Sequence, residues 1–258
     1  MAVPGDGISI VITVKNEASN LIELFSGLAG QEGPFEVVLV DSESTDNTAE
    51  IVRQFQDRLH INHIMKKSTR GEGRNIGVKH ASYDQIIFID GDVTVSPNLV
   101  SAYRKLFREG YELIAGEVES TGVEKFRLGR VELIYRDFEI TRPSANLGYR
   151  KELFLKVGGF DPIFITAEDI DLNLRAIKAG ALHAVCSECI VYNKTRSNYG
   201  QFSRQAFWNG YGRRQLKRKN TDVWDSIVKG PKVSSGPLFP HLIRLAFGGL
   251  GYFYAYFQ

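Results

Sequence analysis

The chain has 258 residues, and 32 Lys and Arg against 30 Asp and Glu leave a formal charge of +2, too little to draw it to nucleic acid by a global positive field. Hydrophobic residues make up 43% and charged residues 24%, which excludes disorder and collagen-like structure and fits one large domain, or one with a short appendage. Two cysteines exclude a disulfide-stapled mini-fold, and no basic start precedes the first apolar run, so no secretory signal is read and the cytoplasm is the expected location.

In chain order, residues 8–14 (ISIVITV), 36–40 (EVVLV), 60–65 and 85–89 (QIIFI) read as strands. Runs such as Val37-Val38-Leu39-Val40, apolar at every position, suit strands covered on both faces, as in a parallel sheet. Helical patterns occupy 19–30, 45–59, 73–81 and 97–108. Ser44-Thr45-Asp46 supplies cap chemistry for the second, and Ser96-Pro97 opens the fourth. Strands alternating with helices predict βαβ units, whose ligands sit beyond the carboxyl ends of the strands. Further on, 111–119 reads as strand, 123–139 as an amphipathic helix or long crossover, and 144–150 as strand and turn before a short helix. A helix over 169–178 stops at Gly180, followed by a strand over 181–192 and a helix over 201–219.

The residues just after the strands are polar and mostly acidic: Lys15-Asn16-Glu17, then Asp41 to Asp46, then Asp90-Gly91-Asp92. Carboxylates from three strand ends on one rim repel one another unless something positive binds there. In Asp90-Gly91-Asp92, two carboxylates can face one hard cation while the glycine admits a phosphate, although the triplet is also ordinary turn chemistry.

The paired opening segments VITVKNEASNLIELFSGLAGQ and EVVLVDSESTDNTAEIV are followed in order by GRNIG (73–77), IFIDGDV (87–93), NLGYRKELFLKVGGFDP (146–162) and AEDIDL (167–172). Together they resemble family 2 glycosyltransferases of the GT-A fold. The resemblance implies a Rossmann-like α/β fold, a mostly parallel sheet flanked by helices with a helical C-terminal extension. Residues 1–219 would form the GT-A domain, with a nucleotide-binding half (1–110) and an acceptor half (111–219), and 220–258 an aromatic-rich extension. It implies inverting transfer of one sugar from a nucleoside-diphosphate sugar, UDP- or GDP-linked, to a hydroxyl of a glycan or lipid-linked acceptor, with Mn²⁺ or Mg²⁺ as cofactor. On matching positions, Val14, Asn16, Glu17 and Asp41 would bind the nucleoside, and Arg74 the nucleotide or diphosphate. Asp90, Gly91 and Asp92 match the DXD motif, Asp92 being the direct metal ligand. Glu168 and Asp169 match the ED motif, in which Asp169 would be the general base. Asn146, Tyr149 and Arg150 fall where donor sugar and acceptor meet.

Two departures narrow this. Gln201-Phe202-Ser203-Arg204 is followed by Gln205, with Trp208 three residues beyond the position of the processive Q-x-x-R-W element. Addition of one sugar at a time is therefore expected, with Arg204, Arg213 or Arg214 reaching the diphosphate from a closing helix. Where many relatives carry a further metal-binding His, this chain has Val191-Tyr192-Asn193.

His183, Cys186 and Cys189 have a spacing that fits either a zinc site or ordinary packing, and pairing of the cysteines stays open. Residues 213–219 read RRQLKRK, and 238–258 are apolar and aromatic with Arg244 as the only permanent charge. Basic sequence followed by an aromatic stretch fits a peripheral membrane contact at the cytoplasmic face, a helix packed on the domain, or a subunit interface in an oligomer. Two other functions share some of these features: nucleotidyl transfer, which normally brings a Gly-rich loop after the first strand, and a non-catalytic nucleotide-sugar-binding module.

Overall fold

The apolar run at residues 8–14 forms the middle of the main sheet. In the computed structural model, which describes residues 5–121, 131–194, 199–230 and 238–257, β1 (Ile8–Val14) lies parallel between β2 (Phe35–Asp41) and β4 (Gln85–Asp90). β3 (Ile61–Met65) extends β2 in parallel. On the other side, β9 (Asn146–Arg150) runs antiparallel between β4 and β6 (Leu113–Thr121). β10 (His183–Lys194) is parallel to β6, and the short β5 (Val93–Val95) closes that edge antiparallel. The sheet order is β3-β2-β1-β4-β9-β6-β10-β5, as expected for a mostly parallel α/β fold.

Both faces of the sheet are covered, which explains the unbroken apolar runs. Ile10, Ile12 and Leu39 pack with Leu21 and Phe25 of α1 (Ala18–Leu28), Val52 of α2 (Thr48–Phe55) and Phe107 of α4 (Leu99–Arg108). Val11, Val38 and Phe88 pack on the opposite face with Val78 of α3 (Arg70–His80), Phe154 of α5 (Lys151–Lys156) and Leu172 of α6 (Glu168–Lys178). Each such side chain contributes about 1.5–3 kcal/mol by leaving water. A Cβ at Gly77 would stand 2.3 Å from Val11 Cγ1, so glycine there is what lets α3 rest on β1.

Four expectations need correction. Helix α2 begins at Thr48, not at residue 45. Ser44 and Asp46 are spent in joining the loops after β1 and β2: Asn16 N–H donates to Ser44 Oγ (2.8 Å) and Ala18 N–H to Asp46 Oδ2 (3.1 Å). Helix α3 begins three residues before Gly73, because Thr69 and Glu72 form a capping box. Of the amphipathic helix or long crossover read over 123–139, residues 123–130 lie outside the described residues, and the rest forms a hairpin rather than a helix. Its strands are β7 (Leu133–Tyr135) and β8 (Phe138–Glu139), joined by Arg136 and Asp137 with φ of 47° and 66°, the left-handed pair of a tight hairpin turn. β11 (Val228–Lys229) completes that small sheet. Finally, Cys186 and Cys189 form a disulfide across the irregularity in β10, and His183 packs edge-on against Phe138, so the zinc reading falls.

Among the described residues no helix is long and apolar enough to cross a membrane. The C-terminal segments form α7 (Tyr199–Lys219) and α8 (Leu238–Tyr254), which cross in close contact. A Cβ at Gly210 would meet Gly248 O at 1.9 Å, so the helices touch backbone to backbone.

Candidate active site

Strands β1 and β4 end side by side, with Thr13 opposite Asp90, and this register brings their following residues to one rim. Gly91 sits in the turn after β4, where a Cβ would meet Val14 Cγ1 at 2.6 Å, so Asp90 and Asp92 can flank the end of β1 only through glycine. Asp92 stands exposed at the rim. Surrounding protein, then Asp90, then Glu17 push its carboxyl up to about 6, with Arg70 opposing. The mutual repulsion expected of converging strand ends is thus present.

Part of that charge has an internal partner. Arg74 on α3 is 1% exposed; it donates from Nη2 to Asp90 Oδ1 at 2.6 Å and from Nη1 to Glu168 Oε1 at 3.1 Å. Its guanidinium also lies over the Phe160 ring. A planar fork presents separate nitrogens in a fixed geometry, one to each carboxylate, where an ammonium offers a single point charge. Burial disfavours the charge, but Asp90, Glu168 and Asp169 together raise the Arg74 pKa above its ordinary value. Arg74 therefore organises the carboxylates while facing the same cleft.

Asp169 sits in the first turn of α6, immediately after Ala167, whose φ of 64° is unusual for a residue with a side chain. A Cβ at Gly212 of α7 would come within 2.9 Å of Ala167 Cβ, so α7 packs directly on this strained turn. Ser144 N–H donates to Asp169 Oδ2 (3.2 Å), and Ile170 N–H to Oδ1 (2.8 Å). Burial first, and Glu168 second, raise the Asp169 carboxyl to about 6, against the pull of Arg74 and these two N–H groups. A proton acceptor poised near neutrality results. Asp171 points away and is held by Arg175 and Lys219.

All these groups line one open cleft of about 1390 Å³: Arg70, Arg74, Asp90, Asp92, Glu168 and Asp169 on one part of its wall, Arg204, Trp208 and Arg213 of α7 and Arg244, Leu245 and Tyr252 of α8 on another. Beside it, Asp41 is fully buried. Its Oδ1 accepts from Ser44 N–H (2.8 Å), while Oδ2, 3.5 Å from His63 Nε2, has no hydrogen-bond partner. Asn16, at φ 58°, accepts from Thr45 N–H (2.7 Å) and shapes the loop over Asp41. Glu17 accepts from Asn20 Nδ2 at 2.6 Å.

Several expected site residues lie elsewhere. Val14 is buried, and its carbonyl accepts from Ser42 N–H. Asn146 is 1% exposed and fully engaged: Nδ2 donates to Glu117 O (2.9 Å) and Cys189 O (2.7 Å), and Oδ1 accepts from Tyr103 (2.8 Å). It ties β9 to β6 and β10 rather than facing substrate. Tyr149 is buried against Asn173 (2.7 Å), and Arg150, paired with Gln85, is at the opposite end of the sheet, where it bonds Phe107 O. Arg214 lies over the rings of Tyr252 and Tyr256. The sequence reading missed the Ser144 N–H, the Ala167 turn and the α8 wall. Only Arg244, the lone charge of its stretch, carried a signal.

Among the described residues no three His, Cys, Asp or Glu side chains form a metal cage. Asp92 and Asp90 nevertheless offer the all-oxygen donor set of a Mg²⁺ or Mn²⁺ ion held by one or two carboxylates, with substrate phosphates completing its shell. Desolvation by the surrounding protein is the main cause of the upward push on Asp92, and the lesser part, from the neighbouring Asp90 and Glu17 carboxylates, is what a divalent ion would relieve; the oxygen donors fit such an ion.

Comparison with known proteins gives the family and the fold. The profile of the family described as Glycosyl transferase family 2 matches residues 9–171. Glycosyltransferase AglE of Haloferax volcanii is 27% identical over 226 residues, covering 81% of this chain and 73% of that protein. A pre-mycofactocin glycosyltransferase of Mycobacterium tuberculosis is 25% identical across 95% of the chain, which spans about half (54%) of its length. In fold, the structure of S. aureus TarS 1-349 in complex with UDP-GlcNAc matches 97% of this chain and 74% of TarS 1-349, with a TM-score of 0.69 at 19% identity. The mannosyltransferase PcManGT from Pyrobaculum calidifontis, in complex with GDP-Man and Mn²⁺, matches 96% of this chain and 69% of its own, with a TM-score of 0.64 at 17% identity.

Proposed function

Since the chain belongs to glycosyltransferase family 2, we propose that it transfers one sugar, with inversion, from a nucleoside-diphosphate sugar to an acceptor hydroxyl, on a glycan or a lipid-linked acceptor at a membrane surface. The reading rests on one observation: Asp169, held by two backbone N–H groups and raised to about 6, opens on the same cleft as Asp90 and Asp92.

Asp41 supports recognition of the base. Its unpartnered Oδ2 accepts a base N–H, and a base without that donor would leave the buried oxygen unsatisfied. Asp92, with Asp90, holds a divalent ion, which neutralises charge on the leaving diphosphate when bound. Arg74 keeps Asp90 and Glu168 in place, and Arg204 adds positive charge from α7. Asp169 then accepts the acceptor's hydroxyl proton as its oxygen bonds to the anomeric carbon. The bond from that carbon to the diphosphate oxygen breaks on the opposite side, and the nucleoside diphosphate departs with the electron pair. One displacement inverts the anomeric centre. A nucleotidyltransferase has no use for this base, and family membership sets that alternative aside.

A thermal-shift panel of nucleoside diphosphates, with and without Mn²⁺ or Mg²⁺, tests the donor half. One base should raise the melting temperature, the rise should need the cation, and Asp92→Asn should remove the cation's share. No stabilisation by any nucleoside diphosphate would refute the reading.

A further inference from the structure

The cleft's second wall carries positive charge and apolar surface together. Arg213 on α7 and Arg244 on α8 come from successive helices, and both line the cleft. Arg213 is anchored by a hydrogen bond to Val131 O (3.0 Å). Burial, and then the neighbouring Arg244, lower the Arg213 pKa, while burial lowers that of Arg244. Like charges held together in a partly dry cleft favour an anion there.

Helix α8 continues this wall onto the surface. Leu245 and Tyr252, one turn either side of Gly249, line the cleft and are also exposed, at 70% and 37%. The same side of the helix presents Leu242, the adjoining row presents Leu250 and Phe253 at 57% and 64% exposure, and Phe257, just past the end of the helix, is 67% exposed. A helix face this apolar is unfavourable in water and marks a contact surface. It is continuous with the cleft that holds Asp169, so one amphiphilic molecule can occupy both.

We propose that the acceptor is an anionic amphiphile: its hydroxyl reaches Asp169, its phosphate lies against Arg213 and Arg244, and its hydrocarbon chain runs along the outer face of α8. The assignment rests on the glycosyl-transfer reading above and names the class of acceptor that site would take. A membrane-borne carrier satisfies both features. A neutral polysaccharide satisfies neither the apolar face nor the paired cations, and an anionic one satisfies the cations but not the apolar face.

Farnesyl phosphate, farnesol and inorganic phosphate serve as probes, each titrated into the full-length protein while intrinsic fluorescence, to which Trp208 in the cleft contributes, is followed. Farnesyl phosphate should bind about tenfold more tightly than farnesol, as expected for a charge-assisted contact. Inorganic phosphate should bind weakest. The double variant Arg213→Gln/Arg244→Gln should lose most of the preference for phosphate, and Leu245→Ser should weaken farnesyl phosphate and farnesol alike. Equal binding of farnesol and its phosphate by the unmodified protein would overturn the proposal, as would a preference that survives the double variant. Nucleoside diphosphate stabilisation is measured on the same proteins. Its loss in the double variant would assign the arginines to the donor and also overturn the proposal. Its absence in the unmodified protein would instead refute the transferase reading, a result separable from the farnesyl phosphate titration.

Discussion

Replacing Asp169 with Asn should make the protein both inactive and more stable. In the folded chain the carboxyl is raised from 3.8 to about 6, chiefly by burial. The folded state therefore holds this proton more tightly than the unfolded chain, and ionisation of Asp169 between about pH 4 and 6 weakens the fold. A shift of roughly two units corresponds to about 3 kcal/mol at pH 7. Asp169 is only partly buried, and water reaching it reduces this to about 1–2 kcal/mol. Asn carries no charge but keeps an acceptor for only one of the two N–H groups and sets its NH₂ against the other at a cost of about 1 kcal/mol, so the variant should gain at most about 1 kcal/mol, roughly 2–4 °C in melting temperature for a chain of this size. The gain should be full at pH 8 and vanish below about pH 4. Release of nucleoside diphosphate from the donor should fall by about 10²–10⁴, while the thermal shift with nucleoside diphosphate persists. In the unmodified protein, kcat should rise with pH through about 6. Unchanged turnover, or a lower melting temperature at pH 8, would refute the assignment of Asp169 as a buried, charge-strained base.

Arg74→Lys should destabilise the fold by about 3 kcal/mol in urea, because a shorter side chain with one nitrogen replaces the fork whose Nη2 and Nη1 reach Asp90 and Glu168 separately, and nucleoside diphosphate binding should weaken with it. Asn146→Ala should lower stability by roughly 2–4 kcal/mol, since it strands Tyr103 and the carbonyls of Glu117 and Cys189, yet leave nucleotide-induced stabilisation intact. Gly77→Ala should cost about 1–3 kcal/mol by forcing α3 off Val11 of β1, visible as a lower urea midpoint.

Much of this was legible in the sequence, for reasons that also explain the failures. Strands such as Val37–Val40 announce themselves because a sheet covered on both faces needs apolar side chains at successive positions. Asp90 and Asp92 stand out because polar residues at strand ends converge in such folds, whereas Asp169 is singled out only by its match to the ED motif of the resembling family. Motif position could not say which way a side chain points. Asn146 and Tyr149 lie on a matching segment, but antiparallel insertion of β9 turns Asn146 inward as a clamp and buries Tyr149 against Asn173. The β7–β8 hairpin was hidden because its left-handed turn is made by Arg136 and Asp137 rather than glycine. Thr69 and Glu72 did mark the start of α3, but the glycines beyond them masked it. The α8 wall is a tertiary fact: Leu245 and Asp169 share a cleft because Gly210 and Gly251 let α7 and α8 touch.

Crystals grown with Mn²⁺ and the most stabilising nucleoside diphosphate would probe the site directly through the anomalous signal of the metal. The account requires a manganese peak bonded to Asp92 and to both phosphates, with the Asp169 carboxylate facing the terminal phosphate, where a sugar would be attached. A metal bound away from the β4 turn, or a diphosphate that leaves the Asp169 side of the cleft empty, would contradict it.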